Sequence, residues 1–60
     1  MGTWREYIDG MKKEWIGKSV LFENEKYNVV GVDYNGSLLI DKKAEFTDTT
    51  AVGIEMVKAL

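Results

Sequence analysis

The chain has 60 residues, eight Lys/Arg against ten Asp/Glu, a formal net charge of −2, and neither cysteine nor histidine. That length allows one domain with a small core, and the composition excludes disulfides, thiolate or imidazole metal sites and histidine-activated nucleophiles. Charges of both signs interleave, with runs no longer than pairs such as Lys12-Lys13 and Lys42-Lys43, so the chain lacks the basic stripe of a nucleic-acid binder.

No apolar run approaches the roughly 20 residues that cross a bilayer, so no membrane partner is expected. The N-terminus has no basic-then-apolar secretory pattern, and Glu6 stands where N-myristoylation needs Ser or Thr. A cytoplasmic location is the default expectation.

Thr3 to Gly17 reads as an amphipathic helix, with residues 3–16 as its span. Thr3 and Glu6 have capping-box spacing, and Trp4, Tyr7, Ile8, Met11 and Trp15 recur at helical spacing as one apolar stripe. Asp9 precedes Lys12 and Lys13 by three and four residues, and those lysines suit the helix C-terminus. Gly17 is a natural stop. The stripe predicts that Trp4 and Trp15 pack inward.

After Gly17 the period changes to that of strands. Lys18 to Glu23 and Lys26 to Tyr34 read as two strands joined at Asn24-Glu25. Asn35-Gly36 lies between Val-Gly-Val-Asp-Tyr and Ser-Leu-Leu-Ile-Asp, which predicts a two-residue type I′ hairpin with Val32 opposite Leu39. In that register Val30, Val32 and Leu39 share one face and Val29, Leu38 and Ile40 the other. Both faces then need cover: the interior of a barrel on one side, the helix stripe on the other. Lys42-Lys43 makes the next turn, and Ala44 to Val52, with Phe46 and three threonines, reads as a fourth strand. Residues 52–60 read either as a short helix or, preferably, as a strand, a single turn near Gly53 to Met56 and a last strand at Val57 to Leu60.

The fold class expected is α+β or mainly β: an N-terminal helix followed, over residues 17–60, by a small antiparallel barrel of about five strands in a single domain, 1–60. Ile16-Gly17-Lys18-Ser19-Val20, the bent strand around Tyr27 to Asp33, the Asn35-Gly36 hairpin and the ending Thr50 to Lys58 together resemble a small SH3-like barrel. KOW domains and the C-terminal domains of retroviral integrases and biotin protein ligases share that architecture. The resemblance implies a fold and leaves function open. The Ala-Leu-Tyr-Asp-Tyr motif and Trp-Trp pair of signalling SH3 domains are missing, so polyproline recognition does not carry over.

Candidate sites are few. Ten carboxylates show no pair set apart by spacing, and Asp33, Asp41 and Asp48 near hairpin ends fit turn chemistry. Ser19 and Ser37 have no base to activate them, Gly31 and Gly36 do not form a phosphate loop, and no cofactor or metal is expected. No catalytic residue emerges. Tyr27 and Tyr34 flank the long strand and are the candidate partner-binding aromatics. The expected function is a non-enzymatic protein-interaction module whose partner is another protein or a second copy of itself. One alternative is a KOW-type nucleic-acid-binding domain contacting its ligand through Lys12, Lys13, Lys18, Lys42 and Lys43. Another is a small inhibitor that fills a partner's groove.

Overall fold

Thr3 caps α1 (Trp4–Trp15): its Oγ1 accepts the Glu6 backbone N–H at 3.2 Å, and Lys12 and Lys13 fall in the last turn. A computed structural model describes residues 2–60, so Met1, the first residue of the expected domain, lies outside the described residues. Past the helix, the Gly17 N–H donates to the Val29 carbonyl at 3.1 Å and ties the end of α1 to the sheet.

Five strands follow: β1 (Ser19–Phe22), β2 (Glu25–Val32), β3 (Leu38–Ile40), β4 (Thr50–Val52) and β5 (Lys58–Ala59). They form one antiparallel sheet in the order β4-β3-β2-β1-β5, with the long β2 shared by both halves. A 3-10 turn at Ile54–Met56 separates β4 from β5, so the chain ends as a strand, a single turn and a strand. The helix-then-antiparallel-sheet reading of the sequence matches this α+β fold.

Barrel closure does not. β4 and β5 are opposite edges with no ladder between them, so the sheet stays open. The edges hold three and two residues, and the helix packs against β2, the central strand. Ile8 and Met11 enter the same buried cluster as Val20, Phe22, Val29, Val32, Leu38, Ile40, Val52 and Val57, with Trp15, Tyr27 and Ile54 packed against it. One core, not two, holds the molecule together.

The β2–β3 hairpin shows why one core is enough. Val32 pairs with Leu38 rather than Leu39, and the register slips again between Val29 and Gly31, leaving Val30 as the extra residue of a bulge. Strict alternation would send Val29 and Val32 to opposite faces; the bulge turns both inward beside Leu38 and Ile40. Val30 is left 50% exposed. Gly31 permits the kink, because a β-carbon there would lie 3.3 Å from Leu39 Cδ1.

The turn differs from the expected type I′ accordingly. The Gly36 N–H donates to the Asp33 carbonyl at 2.9 Å and the Asp33 N–H to the Ser37 carbonyl at 2.7 Å, closing a three-residue loop. Only Gly36 within it has positive φ, at 87°. The β1–β2 turn falls at Glu23-Asn24, one residue earlier than expected, with φ of 50° and 66°. The expected fourth strand is mostly loop. Residues 42–50 bond locally, with the Ala44 N–H on the Thr47 carbonyl (2.9 Å), Thr47 Oγ1 on the Thr49 carbonyl (2.7 Å) and Thr50 Oγ1 on the Lys42 carbonyl (2.7 Å). Threonine hydroxyls thus compete with the ladder, and Phe46, expected in a strand, is 90% exposed.

Candidate functional site

The first turn of α1 reaches past the buried part of its stripe and meets the β2–β3 turn. Trp4 Nε1 donates to the Tyr34 carbonyl at 2.7 Å, a bond between residues thirty apart in sequence. The Trp4 and Tyr7 rings lie with centroids 5.1 Å apart, tilted by 34°. Beneath them runs Gly36, where a β-carbon would stand 3.4 Å from Trp4 Cη2 and 3.9 Å from Tyr7 Cε2. That is ordinary van der Waals distance, so the rings rest on the turn, and it is the left-handed φ of 87° that keeps this position for glycine.

These rings are not core. Trp4 is 48% exposed, Tyr7 50% and Tyr34 68%, which overturns the expectation that Trp4 packs inward. The physical reason is length: twelve helical residues span about 18 Å, and the core claims only Ile8, Met11 and part of Trp15. The result is a surface of three aromatic residues in which the Trp4 indole N–H is already satisfied. Tyr7 and Tyr34 carry hydroxyls that both donate and accept.

Of the two tyrosines singled out in the sequence, the structure separates the roles. Tyr34 stands on the surface just described. Tyr27 is half-buried against the core, its ring 6.4 Å from that of Phe22, and its hydroxyl donates to Glu25 Oε2 at 2.6 Å. That hydrogen bond first, then burial and the charges of Glu25, Glu23 and Asp41, push its pKa up to about 12. Trp4 and Tyr7 were missed as surface residues. The signal available was the Thr3 cap, which places both in the first turn of the helix.

The five lysines lie on three separate segments. Lys12 and Lys13 are in the last turn of α1. Lys18 leads into β1 with its Nζ 5.7 Å from the Trp15 ring centroid, a cation–π distance. Lys42 and Lys43 begin the β3–β4 loop, where Lys43 through Asp48 line a shallow recess.

A polar tie crosses the centre of the sheet. Ser19 Oγ donates to Asn28 Oδ1 at 3.0 Å, the Asn28 N–H to Asp41 Oδ1 at 3.0 Å, and the Asp41 N–H to the Asn28 carbonyl at 3.1 Å. The serine faces an amide, which is no base, so this triad fastens β1 and β2 to the residue that follows β3 and activates no nucleophile. Asp33 is used in its own turn, where its Oδ1 accepts the Tyr34 N–H at 2.8 Å. Among the described residues no three carboxylates gather as a metal site, and no helix is long and apolar enough to cross a membrane.

Comparison with known proteins finds no matching family model, no matching curated protein and no matching solved structure.

Proposed function

We propose that this domain is a non-enzymatic protein-interaction module whose contact surface is formed by Trp4, Tyr7 and Tyr34. The observation that carries the reading is the bond of Trp4 Nε1 to the Tyr34 carbonyl, which joins the start of the helix, with its neighbouring exposed Trp4 and Tyr7 rings, to the turn that bears the exposed Tyr34. Pre-positioned aromatic side chains give large contact area at low entropic cost and dominate the energetics of many interfaces. The ending of β4, a 3-10 turn and β5 supports the finer reading of an SH3-like relative with an open sheet, and that fold class serves many partners.

A photo-crosslinking amino acid placed at position 34 tests the surface in the native host. The expected result is a discrete crosslinked protein from position 34 that is absent when the same probe replaces Val30, which is exposed but sits on the bulge. Equal labelling from both positions would discard the aromatic surface as the site.

A further inference from the structure

Asn35-Gly36 forms a turn, and the same dipeptide carries chemistry of its own. The backbone nitrogen of a residue after asparagine can attack the side-chain carbonyl carbon. A C–N bond closes a cyclic imide, the carboxamide C–N bond breaks, and ammonia leaves with the proton lost by the backbone amide. Water then opens the imide at either carbonyl, giving aspartate or isoaspartate. Glycine as the following residue offers no side chain to obstruct the attack.

Here Asn35 is exposed, so water reaches its carboxamide. Its attacker is restrained: the Gly36 N–H is engaged by the Asp33 carbonyl at 2.9 Å. The turn is itself held from three directions, by Asp33 Oδ1 on the Tyr34 N–H (2.8 Å), by the Asp33 N–H on the Ser37 carbonyl (2.7 Å) and by Trp4 Nε1 on the Tyr34 carbonyl (2.7 Å). We propose that Asn35 is a covalent modification site, converted to aspartate or isoaspartate by attack of the Gly36 nitrogen at a rate set by the Trp4–Tyr34 clamp. The isoaspartyl product adds a methylene to the main chain inside the turn and a negative charge beside Asp33. The longer main chain shifts Gly36, on which the Trp4 and Tyr7 rings rest, together with the neighbouring Tyr34 carbonyl, and the clamp loosens. The modification therefore loosens the attachment of the helix to the hairpin. Its chemistry is independent of whether a protein partner binds the aromatic surface.

The test incubates the purified chain in mildly alkaline buffer and follows residue 35 by intact mass and by isoaspartyl-methyltransferase labelling. The folded chain, the chain in guanidinium chloride, Trp4→Phe and Asp33→Ala are compared. The folded chain should react at least roughly fivefold more slowly than the denatured one, the protection that one intramolecular hydrogen bond confers. Both variants should fall between the two, and Asn35→Gln should abolish the signal. Equal rates for folded and denatured wild type would overturn the proposal, as would wild-type rates in both variants while they remain folded by circular dichroism. Should one variant unfold, the other decides; should both unfold, the folded-to-denatured ratio of the wild type decides. Persistent full labelling in Asn35→Gln would place the reaction elsewhere and overturn it too.

Discussion

Glu23 holds a left-handed backbone conformation, φ 50°, that costs a residue with a β-carbon about 1–2 kcal/mol. Asparagine tolerates that region better. Glu23→Asn should therefore stabilise the fold by about 0.5–1 kcal/mol, read as a higher urea midpoint at unchanged slope; no gain would mean that Glu23 is held by something other than the turn. Tyr27 makes a second prediction at this scale. Its folded pKa of about 12 stands above the ordinary 10.0, so below pH 10.0 both states are protonated and its contribution is complete. Between 10.0 and about 12 the unfolded chain ionises first, and stability falls as pH rises. Tyr27→Phe should fall less steeply over that interval, and tyrosinate absorbance should show one late-titrating phenol in the wild type. Parallel pH profiles would show that the Glu25 bond is not retained in solution. At this scale the sequence was legible wherever a residue's role is local. Thr3 declares itself as a cap, and Ile8 and Met11 as inward positions. Trp4 does not, because its place depends on a carbonyl thirty residues away.

The helix is a wall of the core. Ile8 and Met11 are as buried as the strand residues they join, and they cover the sheet along its central strand β2. Truncating one such side chain costs about 2–5 kcal/mol, against the 3–5 kcal/mol that a core of this size supplies in total. Ile8→Ala should leave the chain unfolded or molten by amide dispersion. In native-state hydrogen exchange, the central amides of α1 should open with the same free energy as those of β2. A helix that exchanges freely above a protected sheet would make it a detachable arm. Elements were legible in type and order, including the final strand, turn and strand. Registers were not. A periodicity of two assigns Val29 and Val32 to opposite faces, and only the bulge at Val30, allowed by Gly31 under Leu39, brings them together. The four polar residues Glu23 to Lys26 contain no glycine to mark the turn, and the Thr-rich segment before β4 satisfies itself locally instead of extending the sheet.

For the whole molecule, the helix that completes the core also carries Trp4 and Tyr7 to the hairpin turn, so stability and the exposed aromatic surface come from one element. The buried middle of α1, Ile8 and Met11, can be read from the sequence alone. The aromatic surface cannot, since it needs the packed position of the hairpin. The account separates the two by residue: Ile8 and Met11 hold the fold, whereas Tyr7 and Tyr34 expose half or more of their surface and contribute little to it. The most direct test replaces both tyrosines, Tyr7→Ser with Tyr34→Ser, and measures melting temperature and affinity for the protein crosslinked at position 34 in the same preparation. The predicted result is a melting temperature within about 4–8 °C of the wild type, equivalent to roughly 1 kcal/mol, with affinity reduced about tenfold or more, the loss expected on removing interface aromatics. Unchanged affinity in a folded double variant would contradict it.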